Sequence, residues 1–143
     1  MLQQIYPSVQ HPYAFELNKD FNFSSAHYIP HEEAGKCMNV HGHTYFVNLT
    51  IAGDELDKMG FLVNFSELKS LIHKRYDHQL LNDFEEFKDY SPSTEQVAQT
   101  IYNIVQASLD KRDNKPKCVQ VFVRETPTSY VVYRPTKKGD DNA

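Results

Sequence analysis

Odd-numbered positions from 13 to 27 read Tyr13, Phe15, Leu17, Lys19, Phe21, Phe23, Ser25 and His27. The even positions between them read Ala14, Glu16, Asn18, Asp20, Asn22, Ser24 and Ala26. This period-two alternation predicts one long β-strand over 13–27, with a polar face and, except at Lys19, a largely apolar one. A second alternation starts at His41 and His43 and continues through Tyr45, Val47, Leu49 and Ile51, with Thr44, Phe46, Asn48 and Thr50 between them. It predicts a strand over about 41–53 that stops at Gly53-Asp54. The joining segment, about 28–40, carries Pro30, Glu32, Glu33 and Gly35 and reads as a loop.

The period then changes. After a polar turn over 54–60 and the apolar Phe61, Leu62 and Val63, the residues Leu68, Leu71 and Ile72 fall at i, i+3 and i+4, the stripe of a helix. Asn64 or Ser66 serves as its cap, Glu67 suits its first turn, and it ends near Tyr76-Asp77-His78. Residues 82–92 read as an acidic loop anchored by Phe84 and Phe87. A second helix follows Pro92, opened by Ser93 with Gln96 three residues on, a capping box. Its stripe is Val97, Ala98, Ile101, Ile104, Val105 and Leu109. Beyond a charged segment ending at Pro116, Val119, Val121 and Val123 alternate with Gln120, Phe122 and Arg124 in a third strand. A fourth surrounds Tyr130–Tyr133, over 128–135. The order ββααββ predicts an α+β fold, a four-stranded antiparallel sheet with two helices on one face. Residues 1–12, with Pro7 and Pro12, read as an N-terminal arm, 13–135 as the core and 136–143 as a flexible charged tail, all of one domain spanning 1–143.

Composition narrows the function classes. The net charge is −4, so the basic footprint of a nucleic-acid binder is absent. No apolar run approaches the ~18 residues of a membrane span, and no basic-then-apolar segment opens the chain. The two cysteines, Cys37 and Cys118, are too few for a disulfide framework and fit a reducing compartment. A cytoplasmic location is the expectation, with neither a nucleic acid nor a membrane as the partner.

The chemistry gathers where the first two strands meet. His41 and His43, two apart, point to one face of a strand. His27 closes the apolar row of the preceding strand, so antiparallel pairing brings the three imidazoles to one end. Three neutral histidines with a fourth position open make a catalytic zinc set. Cys37, four residues before His41, offers three alternatives: a fourth ligand that closes a structural centre, an inert buried thiol, or a free reactive thiol. A His-x-His metal site of the cupin kind wants a glutamate a few residues on, and the next acid after His43 is Asp54. Asp77-His78 sets an acid beside an imidazole at a helix end. Neighbours in a helix do not face each other, so joint action requires an irregular turn; the other reading is a histidine acting on the helix dipole. Glu125 ends the third strand, as an ordinary strand-end acid would.

Cys37-x-x-x-His41-Gly42-His43, preceded by Phe23-Ser24-Ser25-Ala26-His27, resembles the signature of the 6-pyruvoyltetrahydropterin synthase family, over about Tyr13 to Tyr133. The resemblance implies the tunnelling fold (T-fold), closed into trimers and hexamers with active sites between subunits. It implies Zn2+ held by His27, His41 and His43, and a catalytic set of Cys37, Asp77 and His78. It makes Glu125 the anchor of a pterin ring and places Ser93, Thr94 and Glu95 against that ring, where the family has Pro-Thr-x-Glu and this chain has Pro92-Ser93-Thr94-Glu95. Asn64 stands where the family usually has an aspartate, and keeps the capping ability. The implied substrate is 7,8-dihydroneopterin triphosphate. The expected reaction is that of the bacterial queuosine branch, which leaves a carboxylated tetrahydropterin and releases acetaldehyde and triphosphate. The biopterin branch, which leaves a pyruvoyl side chain, shares the site. A non-catalytic metal- or pterin-binding protein would need the histidines and Glu125 without the Cys37, Asp77 and His78 set.

Overall fold

The computed structural model describes residues 5–135; the segment 136–143 expected as a tail lies outside them. Strand β1 (Phe15–His27) pairs antiparallel with β2 (His41–Gly53) over their whole length, from Phe15 opposite Gly53 to His27 opposite His41. Helix α1 (Phe65–Tyr76) follows, then β3 (Gln79–Leu80), helix α2 (Thr94–Leu109), β4 (Lys117–Thr126) and β5 (Ser129–Tyr133). The sheet order is β3-β1-β2-β4-β5.

Three expectations are corrected here. The sheet has five strands rather than four, and it is mixed rather than wholly antiparallel, because β3 runs parallel to β1 through Ser25 and Ala26. A two-residue strand is shorter than any alternation can register. Nor are there only two helices. Glu32–Met38, read as plain loop, forms a third, 3-10 helical element, and Leu81–Asp83 and Glu85–Phe87 form single 3-10 turns. Glu32–Met38 buries none of its residues and kinks at Gly35 (φ +60°), a backbone conformation that glycine adopts at little cost, so it has no apolar stripe to reveal it.

The helices start where their caps dictate. Asn64 Oδ1 accepts from Ser66 N–H at 2.9 Å, and Ser93 Oγ accepts from Gln96 N–H at 3.2 Å. Leu68, Ile72 and Tyr76 of α1, with Val97, Ala98, Ile101, Val105 and Leu109 of α2, bury against the row Phe21, Phe23, Tyr45, Val47, Leu49 and Ile51 of the sheet. A register shift between Thr50 and Ile51 puts Cys118 rather than Val119 in the core beside Val121 and Val123. Burial pushes the Cys118 thiol up to about 12, which leaves it inert at neutral pH.

The far half of β2 is buried on both faces, including Asn48 and Thr50. The N-terminal segment explains this. Gln120 Nε2 donates to Pro7 O at 2.9 Å and the Tyr6 ring meets Phe122 edge-on, which lays residues 5–9 across the polar face of the sheet. The near half of β2, where His41 and His43 stand, remains open.

Candidate metal centre and neighbouring site

Strand pairing converts the histidine spacing into a cluster. His27 faces His41 across the β1–β2 ladder, and Ser25 faces His43. The ring centroids of His27, His41 and His43 lie 4.5, 5.2 and 5.0 Å apart, and one nitrogen from each falls within 4.8 Å of the others. This cluster is able to coordinate a metal ion.

The hydrogen bonds around it decide which nitrogens face inward. His27 Nδ1 donates to Pro92 O at 2.6 Å and His41 Nδ1 donates to Asn39 O at 2.7 Å. A carbonyl only accepts, so the ring proton sits on Nδ1 and the Nε2 lone pair is free. His27 Nε2 and His43 Nε2 are buried without a hydrogen-bond partner. Glu125 Oε1 comes within 3.4 Å of the first and 3.3 Å of the second. Lone pairs converging on one point are unfavourable unless a positive charge lies among them, so the donor set fits a cation. Burial pushes both His27 and His43 below the ordinary imidazole range, toward the neutral form that ligates.

Cys37 does not join this group. It is exposed on the 3-10 segment, and only its backbone is tied down, by Ile29 N–H donating to Cys37 O at 2.7 Å. The ligand cluster among the described residues consists of the three histidines without a thiolate, so the closed Cys-His centre is not assembled.

Asp77 and His78 meet through the irregular turn that their joint action requires. Asp77 caps α1 with extended backbone (φ −63°, ψ 130°), and His78 follows at φ +60°, a left-handed conformation that costs a non-glycine residue free energy. Contacts to β1 hold the turn. Ser24 N–H donates to Asp77 Oδ1 at 2.8 Å, His78 N–H donates to Ser24 O at 2.6 Å, and the Ser25 hydroxyl donates to the Tyr76 carbonyl. The hydrogen bond from Ser24, helped by the two neighbouring imidazoles, holds the Asp77 carboxyl below its ordinary range. His78 Nε2 lies 3.4 Å from Asp77 Oδ2.

His78 and His43 line one cleft of about 610 Å³ together with Ser24, Thr44 and Gln79. Of the three clustered histidines, His43 alone lines this cleft; His27 and His41 do not. Cys37 and Glu125 are not among its walls. Ser93, Thr94 and Glu95 open α2 next to Pro92, whose carbonyl holds His27, so the helix start is fixed to the cluster; Thr94 is buried and Glu95 exposed.

Sequence reasoning missed the partners that aim these groups. The carbonyls of Asn39 and Pro92 carry no residue-type signal. Tyr45, whose hydroxyl lies 3.2 Å from His27 Nδ1, reads as ordinary core. His73, 3.4 Å from Asp77 Oδ2, stands four residues before Asp77, and that helical spacing was the available signal.

A family model described as 6-pyruvoyl tetrahydropterin synthase matches residues 16–136. A 6-carboxy-5,6,7,8-tetrahydropterin synthase of Bacillus subtilis is 68% identical over 97% of this chain and 98% of its own. A 6-pyruvoyl tetrahydrobiopterin synthase of Drosophila melanogaster is 33% identical over 87% of this chain and 82% of its own. Among solved structures, that of Caenorhabditis elegans 6-pyruvoyl tetrahydropterin synthase superposes with a TM-score of 0.70 at 26% identity, covering 85% of this chain and 96% of the other.

Proposed function

Since the chain belongs to the 6-pyruvoyl tetrahydropterin synthase family, we propose that it is a lyase of the 6-carboxy-5,6,7,8-tetrahydropterin synthase type, acting in queuosine biosynthesis. It converts 7,8-dihydroneopterin triphosphate to 6-carboxy-5,6,7,8-tetrahydropterin and releases acetaldehyde and triphosphate. The observation that carries the reading is the cluster of His27, His41 and His43, with the ring protons of His27 and His41 turned outward to carbonyls and the Nε2 atoms of His27 and His43 buried without a partner. The carboxy branch is favoured over the pyruvoyl branch because the 68% relative carries the carboxy name and the pyruvoyl relative is far less similar.

His27, His41 and His43 would hold Zn2+, the ion suited to an all-imidazole set with an open position. When bound, the ion supplies Lewis acidity toward the hydroxyl-bearing side chain of the pterin. The chain's own residues do the rest. Glu125, beside the cluster, holds the amino-pyrimidinone edge of the ring, and Ser93, Thr94 and Glu95 bound the ring from the start of α2. His78, oriented by Asp77, takes and returns protons at the open cleft, and Cys37 as thiolate serves as the second proton-transfer group.

The protein is expected to work as a homo-oligomer, a trimer or hexamer. β3 pairs only Ser25 and Ala26, so the outer edge of β1 from Phe15 to Ser24 lacks a strand partner among the described residues, and β5 forms the opposite edge. Such edges call for cover.

Product identification tests the reading. Zinc-loaded protein incubated with 7,8-dihydroneopterin triphosphate should yield a carboxylated tetrahydropterin by mass spectrometry, with acetaldehyde in equal amount. A pyruvoyl product would transfer it to the biopterin branch. Zinc binding without turnover would favour a binding protein and remove the roles given to Cys37, Asp77 and His78.

A further inference from the structure

Asp77 is gripped from two sides, and only one of them is His78. His73 stands in the last turn of α1, one helical turn before Asp77. Its Nδ1 donates to Asn22 O on β1 at 2.8 Å, and its Nε2 lies 3.4 Å from Asp77 Oδ2, the same oxygen that His78 Nε2 approaches at 3.4 Å. The other oxygen, Oδ1, takes the Ser24 N–H. The carboxylate thus has two imidazoles near Oδ2 and a backbone donor on Oδ1.

His78 depends on this arrangement. Its side chain is 84% exposed, and among the described residues Asp77 is its sole side-chain partner. Its ring orientation is therefore as good as the orientation of Asp77. Asp77 in turn sits on a helix cap beside a left-handed residue, where a lone backbone hydrogen bond leaves the carboxylate free to swing about its Cα–Cβ bond. His73 removes that freedom. It is clasped to β1 through Nδ1 and approaches Oδ2 with Nε2; both partners are acceptors, so the doubly protonated ring is the form that donates to both.

We propose that His73 is a positioning residue for the proton-transfer pair: it fixes the Asp77 carboxylate so that His78 is aimed into the cleft. This rests on the proposed role of Asp77 and His78.

Three replacements separate the parts of the argument. His73→Gln keeps an N–H where Nε2 was and loses the clasp on Asn22. His73→Asn keeps a donor where Nδ1 was and loses the contact with Asp77. His73→Leu loses both. With zinc-loaded protein and 7,8-dihydroneopterin triphosphate, His73→Asn and His73→Leu should lower kcat about tenfold with KM little changed, the size expected when one charged hydrogen-bond partner is lost. His73→Gln should recover most of that loss. In an Asp77→Asn background the three replacements should have no further effect, because His73 acts through the carboxylate. Independently of turnover, the His78 ring nitrogens, followed by NMR, should shift from one tautomer toward a mixture in His73→Leu and not in His73→Gln.

A His73→Gln protein as impaired as His73→Leu, or deficits that persist in the Asp77→Asn background, would overturn this inference alone. An Asp77→Asn protein as active as the parent would overturn the pair's proposed role, and this inference with it.

Discussion

The histidine cluster is fixed by two 13-residue strands paired along their whole length, whereas Asp77 and His78 hang from one helix end and a few contacts to Ser24 and Ser25. His27 is almost fully buried, with its side chain 3% exposed, while that of His78 is 84% exposed. The first arrangement has little freedom to lose, since shifting the register by one residue would turn the imidazoles to the opposite face. The second owes its geometry to a left-handed residue and to a carboxylate satisfied from several directions. A metal site needs fixed donors, and a proton-transfer group needs access to substrate and solvent. The two halves are built for different duties.

The contrast can be broken at its strongest point. His41→Ala or His43→Ala removes a ligand, and zinc affinity should drop at least about 100-fold, beyond what loss of an outer partner produces. Turnover should fall to background. Metal content by mass spectrometry and a pterin assay would check both; full zinc occupancy after either replacement would mean that the cluster is not the metal site. Next in size are replacements in the exposed half. Asp77→Asn and Cys37→Ala should each reduce kcat about 10²- to 10⁴-fold while zinc content stays unchanged. Loss of zinc from Cys37→Ala would restore the thiolate as a fourth ligand and erase the distinction between the halves. Tyr45→Phe sharpens the comparison from the buried side. Its hydroxyl shares His27 Nδ1 with the Pro92 carbonyl, so zinc affinity measured by competition with a chelator should weaken by about tenfold or less.

How much of this could be read from residue order follows the same division. The alternation ending in His27 and the one beginning with His41 fixed face and pairing, because a period of two leaves each residue only two directions. Both α-helices were legible for the same kind of reason, with the Ser93 cap read outright and Asn64 as one of two candidates beside Ser66. β3 and the Glu32–Met38 segment were not. One is two residues long, and the other buries nothing, so neither leaves a hydrophobic period. The shift at Thr50/Ile51 that exchanges Val119 for Cys118 is a local departure from alternation that the Val119-Val121-Val123 row conceals. Asp77 and His78 were visible as residues. Their meeting depends on His78 at φ +60°, a turn with no glycine to mark it.

The weaker half nonetheless has an anchor of its own, which yields the smallest expected effect. Behind the Asp77–His78 turn, Arg75 grips Glu86 with two hydrogen bonds, of 2.7 and 2.8 Å, and the Tyr76 hydroxyl donates to the same carboxylate. These contacts, with Arg75 foremost, hold the Glu86 carboxyl at about 2 instead of its ordinary 4.5. A carboxyl held low in the folded state binds fewer protons than in the unfolded chain, so its stabilisation is complete above about pH 4.5 and disappears as pH falls toward 2. Arg75 is 44% exposed, and solvent screening limits the pair to about 1 kcal/mol. Glu86→Gln should therefore melt a few degrees below the parent at pH 7 and converge with it near pH 2. At neutral pH its kcat should fall further than its zinc affinity, because the residue braces the end of α1 and not the β1–β2 ladder. Equal losses of kcat and zinc affinity would show that the two halves are mechanically one unit.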